Sequence, residues 1–93
     1  MFVVCIKRPG ETPQQRAYLA GVTTAFPDGL FRGFKSCRKY KTAAEAQEAI
    51  ERLQRHAAAK RDQDLVEHFN QLVVSTTGAE VKFFADAGLT RLL

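Results

Sequence analysis

The chain contains no tryptophan, one methionine, three prolines and two cysteines in 93 residues. Two thiols cannot build a disulfide framework, and Cys5 and Cys37 in a chain with no export signal read as reduced side chains. Long apolar runs are missing as well. The FVVCI run before Lys7 is far short of a signal-peptide core or of the roughly 20 residues of a membrane span. A cytoplasmic protein with no membrane partner is therefore expected.

Signatures of chemistry are equally scarce. Cys5, Cys37, His56 and His68 are zinc-compatible by type, but the thiols are 32 positions apart and the histidines 12, without the paired spacing of metal sites. A Cys–His nucleophile pair lacks an evident third residue to orient the base. No phosphate-cradling glycine loop, serine elbow or framed carboxylate pair occurs. The expectation is a binding protein without catalytic residues, cofactor or metal, and a small cysteine enzyme is the remote alternative.

What is present is an ordinary globular composition, 45% hydrophobic and 26% charged, sufficient for one domain over residues 1–93. The net charge of +4 is unevenly laid out. Residues 1–41 hold eight Lys and Arg against two acidic residues, a net +6, whereas residues 42–93 hold six against eight, a net −2. Such asymmetry bears on partners and encounter rates.

FVVCI over residues 2–6 reads as a strand, followed by an exposed loop RPGETPQQ. Residues 17–26 are rich in β-formers and lead into Pro27-Asp28-Gly29, a turn sequence, so residues 31–40 are expected to return as a third strand. Gly21 and Gly33 mark candidate bulges. The period then changes. Thr42 with Glu45 three residues on has the form of a capping box, and Ala46, Ile50, Leu53 and Ala57 make one apolar stripe, predicting a helix over 43–58. Its outer face carries Glu48 with Arg52 and Glu51 with Arg55, each pair at i, i+4. Asp62 or Asp64 can cap a second helix running to about residue 74, and EVKFFA over 80–85 reads as a last strand. The competing arrangement pairs 72–76 with 80–84 as a hairpin. The apolar tail, through Leu92 and Leu93, is expected to dock on the domain or on a second copy.

These elements define an α+β fold, a small two-layer domain. It comprises an antiparallel three-stranded meander, two helices on one face and a further C-terminal strand.

The segment FRGFKSCRKYKT, residues 31–42, carries five cations and three aromatic rings with no acid. On a strand, Arg32, Phe34, Ser36, Arg38 and Tyr40 share one face, and Phe31, Gly33, Lys35, Cys37 and Lys39 the other. Cations flanking exposed rings suit phosphate neutralisation and base stacking on a single strand. The candidate contact residues are Arg32, Phe34, Lys35, Arg38, Lys39, Tyr40 and Lys41. A solvated basic strand face that discourages edge pairing is the plain alternative.

Arg32-Gly33-Phe34 matches the start of the longer RNA-recognition-motif consensus, but RPGETPQQ leaves no room for that fold's first helix. A basic strand leading through KYKT into AAEAQEAIERL, over roughly residues 17–55, resembles small phage and prophage proteins in which a β-meander packs one amphipathic helix. The resemblance implies an accessory protein of a mobile element. Two functions follow as expectations: binding of a nucleic acid or nucleoprotein complex through the basic strand, or an anti-CRISPR-like inhibitor seated on an acidic protein surface of a host defence complex. Either suits a monomer or a homodimer.

Overall fold

The computed structural model describes residues 1–88. Strand β1 (Phe2–Ile6) is central in a four-stranded antiparallel sheet of order β3-β2-β1-β4, with β2 at Tyr18–Gly21, β3 at Leu30–Arg32 and β4 at Leu72–Thr76. The sequence explains the central place of β1. Val3, Val4, Cys5 and Ile6 are all buried, and a run without alternation is what a strand covered on both faces requires. Successive side chains serve opposite sides: Val4 and Ile6 join one core, Val3 and Cys5 the other.

The larger core lies under two helices. Helix α1 (Ala43–Lys60) buries Ala46, Ile50, Leu53 and Ala57, the stripe its period predicts. Thr42 caps it by accepting from the Glu45 N–H at 3.1 Å. The cap is the hydroxyl half of a capping box, and the Glu45 carboxylate points elsewhere. Helix α2 (Gln63–Phe69) is capped by Asp62 and buries Phe69 against α1 and the sheet. It ends at Phe69, short of the expected 74, because Leu72–Thr76 pair with β1 in unbroken register from Phe2↔Thr76 to Ile6↔Leu72.

The expected strand over 80–85 is a helix, α3 (Thr77–Asp86), and the competing 72–76/80–84 hairpin does not form. Thr76 ends β4 and caps α3 by accepting from the Ala79 N–H at 3.1 Å. Glu80 and Phe84, one helical turn apart, are both buried. The i, i+4 spacing, not alternation, is what EVKFFA satisfies. Phe84 packs with Val3, Cys5, Tyr18 and Cys37 on the sheet face opposite α1 and α2. Helices therefore cover both faces, giving three layers in place of the expected two. The expected docking of Leu92 and Leu93 lies outside the described residues.

The second correction concerns residues 22–40. Strand β2 stops at Gly21, where the β2–β3 register slips between Leu19 and Gly21. Residues 22–29 form a loop closed by Thr23–Phe26 backbone hydrogen bonds and by Asp28, whose carboxylate meets His56 Nε2 at 2.8 Å and Lys60 Nζ at 3.2 Å. The third strand is three residues long. After Gly33 the chain makes a single 3-10 turn, Phe34–Ser36. It then re-enters the sheet, with the Arg38 N–H donating to the Leu19 carbonyl at 3.1 Å and Tyr40 bridging Phe2. The segment 37–40 is wedged between the diverging ends of β1 and β2. Cys37 lies in the smaller core and Tyr40 in the larger.

Candidate nucleic-acid interface

The wedge sorts the predicted contact residues into two groups. Arg32, Lys35, Arg38 and Lys41 are exposed, and among the described residues none of them lies within 4.0 Å of a carboxylate. Four exposed cations thus stand within ten residues, Lys35 on the side of Phe34 and Phe84 and Arg38 on the side of Tyr40 and α1, none paired with a carboxylate among the described residues.

The other three are occupied by the fold. Phe34 is half-buried and packs edge-on to Tyr18 at 5.4 Å and against Phe84 at 5.7 Å, at the border of the smaller core. Tyr40 is 8% exposed and belongs to the larger core, with the Arg38 guanidinium 5.3 Å above its ring. Lys39 Nζ donates to the carbonyls of Phe34 at 2.8 Å and Cys37 at 3.3 Å and lies 4.9 Å from the Phe34 ring. Lys39 thereby adds a donor to the Phe34 carbonyl, which also accepts from the Cys37 N–H, and holds the 3-10 turn. The alternation that a ten-residue strand gives these side chains does not hold beyond Arg32, because the 3-10 turn breaks it. Neither ring is a free stacking platform.

Helix α1 supplies residues that the linear reading assigns to a solvated face. The Glu48–Arg52 and Glu51–Arg55 ion pairs are not formed within 4.0 Å. Arg52, Glu45 and Glu48 instead line a groove of about 260 Å³ with Arg38 and Tyr40. The sequence carries one trace of this: Glu45, Glu48 and Arg52 follow one another at helical spacing from Thr42, on a line bordering the Ala46 and Ala49 side of the buried stripe.

A second group, also unassigned by the sequence, surrounds Glu80. Its carboxylate is 1% exposed and accepts from Tyr18 Oη at 2.5 Å, Ser75 Oγ at 2.7 Å and Arg16 Nη1 at 2.8 Å, with Lys7 Nζ 3.5 Å away. Burial works against the charge, but the bonds from Tyr18, Ser75 and Arg16 outweigh it and hold the carboxyl below its ordinary value. Arg16 also lies 3.7 Å from the centre of the Phe83 ring. The group ties the loop after β1, β2 and β4 to α3. Glu80 thus joins three separate segments of the chain, which suits a structural clamp.

The thiols are poorly placed for chemistry. Both are buried, and burial pushes Cys5 up to about 11, with Glu80 adding to the shift. Cys37 is also raised by burial. Among the described residues, no three His, Cys, Asp or Glu side chains gather to hold a metal ion, and no helix is long and apolar enough to cross a membrane. Phe84 is 3% exposed and Phe83 is covered in part by Arg16, so these phenylalanines are used within one copy of the chain.

No protein-family model, curated protein or solved structure matches this chain.

Proposed function

We propose that this protein is a small non-catalytic accessory protein that binds a nucleic acid or nucleoprotein complex, with Arg32, Lys35, Arg38 and Lys41 as phosphate contacts. The observation that supports the reading is that these four exposed cations make no ion pair among the described residues. Cations without partners release their counter-ions on meeting a phosphate backbone, which favours binding and makes it salt-dependent. Lys39, Phe34 and Tyr40 serve by holding the segment's shape.

The rival reading is an anti-CRISPR-like inhibitor of phage origin on an acidic protein surface. Burial of Tyr40 and the packing of a half-buried Phe34 against the smaller core favour it, because such a partner needs no base-stacking platform. Titration of labelled single- and double-stranded DNA and RNA with the wild type and an Arg32, Lys35, Arg38, Lys41 charge-reversal variant, at two salt concentrations, separates the two. Salt-dependent binding lost in the folded variant supports the nucleic-acid reading. Absence of binding at low salt overturns it in favour of the protein partner.

A further inference from the structure

The groove between the wedge and α1 has an unusual lining. Two guanidiniums, Arg38 and Arg52, and two carboxylates, Glu45 and Glu48, border it over a floor that includes Tyr40 and Ala49. Opposite charges that share one groove can pair across it. Here none of the four side chains makes an ion pair or a side-chain hydrogen bond among the described residues.

A bare phosphate is a poor occupant, since Glu45 and Glu48 would repel it. A ligand that offers donors along one edge and acceptors along the next satisfies both signs. The groove's volume of about 260 Å³ lies below the roughly 300 to 1,000 Å³ of sites for drug-sized ligands, which suits one planar ring system. The Arg38 guanidinium over the Tyr40 ring gives such a ring a cationic plane to stack on, as unpaired bases do on arginine.

We propose that this groove holds a single unpaired guanine base of a single-stranded nucleic acid. Guanine presents two adjacent donors, N1–H and the 2-amino group, to one carboxylate, while O6 and N7 accept from a guanidinium, the commonest base-specific arginine contact. Neither adenine, cytosine nor thymine offers two neighbouring donors to one carboxylate. The phosphates flanking the base would meet Lys41, next to Tyr40 in the chain. The inference rests on the nucleic-acid reading above and adds to it a base preference and a residue, Arg52, outside the basic stretch.

The test uses labelled single-stranded oligonucleotides of thymine or uracil with one central guanine, adenine, cytosine or hypoxanthine, the last lacking the 2-amino group. Binding to the full chain is measured at moderate salt for the wild type, Glu45→Gln/Glu48→Gln and Arg52→Gln, with circular dichroism as the check on folding. A guanine preference of roughly tenfold is expected, reduced by hypoxanthine and abolished in the folded Gln variants. Tight, salt-dependent binding with equal affinity for all four probes, or a preference unchanged in the folded variants, overturns the guanine site while leaving the phosphate contacts standing. No binding of any oligonucleotide overturns both.

Discussion

The Tyr18 hydroxyl donates to Glu80 Oε2 at 2.5 Å, joining β2 to α3 across 62 positions of sequence. The bond lies on the sheet face away from α1, where three donors converge on one buried carboxylate. Replacing Glu80 by Ala leaves the Tyr18 hydroxyl without a partner and removes the nearest partner of Arg16 and Ser75, although Arg16 keeps Glu11 at 3.5 Å and Ser75 keeps Lys7 at 3.2 Å, and is expected to cost about 2–4 kcal/mol. Tyr18→Phe leaves the carboxylate two partners and costs about 1–3 kcal/mol. Urea unfolding monitored by circular dichroism measures both, and a Glu80→Ala variant as stable as wild type would refute the clamp.

The same carboxylate sets a pH dependence. Its folded value is lowered, so its stabilising contribution is fully present above the unfolded value of about 4.3 and is lost as pH falls from there toward the folded value. Asp28, lowered by hydrogen bonds from His56 and Lys60, acts in the same direction. Midpoints of urea unfolding at stepped pH should fall below pH 4.3, and the fall should be shallower in Glu80→Gln.

Gly29 and Gly33 should respond oppositely to alanine. Gly29 has φ +90°, and an added Cβ would lie 3.2 Å from Leu19 Cδ1 and from Phe31 Cε2. Gly29→Ala is expected to destabilise by about 1–3 kcal/mol, through positive φ and crowding together. Gly33 has φ −68° and open space around its Cβ position, so Gly33→Ala should be neutral or stabilising by up to about 1 kcal/mol. Equal destabilisation at both sites would contradict the geometry.

Arg61 ends α1 in the left-handed region at φ 55°, a conformation that costs an L-residue about 1–2 kcal/mol. Arg61→Gly removes that strain at the position where glycine is favoured after a helix. Thermal unfolding is expected to show a net gain of up to about 1 kcal/mol, reduced from the full strain by glycine's greater freedom in the unfolded chain. A clear loss would show that the Arg61 side chain contributes more than its backbone costs.

Both thiols should alkylate slowly in the native protein. Cys5 is fully buried with its thiol pushed up to about 11, and Cys37 is 8% exposed, so little thiolate is available near neutral pH. Iodoacetamide labelling followed by mass spectrometry is expected to proceed much faster after denaturation. Rapid native labelling of either residue would reopen a catalytic role.

The strongest local signals were fully legible. Thr42 and the Ala46, Ile50, Leu53, Ala57 stripe specify α1 because cap and period act within a few residues of each other. The uninterrupted FVVCI run likewise marks β1 as a strand, and the concentration of cations in residues 31–41 is a property of composition alone. The sequence by itself thus determined a meander, its covering helix and a basic segment.

Tertiary structure decided the rest, because burial is settled by distant partners. EVKFFA suits a strand by propensity, yet becomes α3 because Glu80 meets Tyr18, Arg16 and Ser75 while Phe84 fills the second face of β1. Residues 34–40 have strand-like content, but packing of Phe34 and burial of Cys37 on one side and burial of Tyr40 on the other draw them through the sheet. That crossing turns Phe34 and Tyr40 toward opposite cores, sets Arg38 beside α1, and places it on one groove with Arg52 and two glutamates unpaired among the described residues. No local pattern encodes that meeting, since its members come from segments whose approach depends on both cores closing at once.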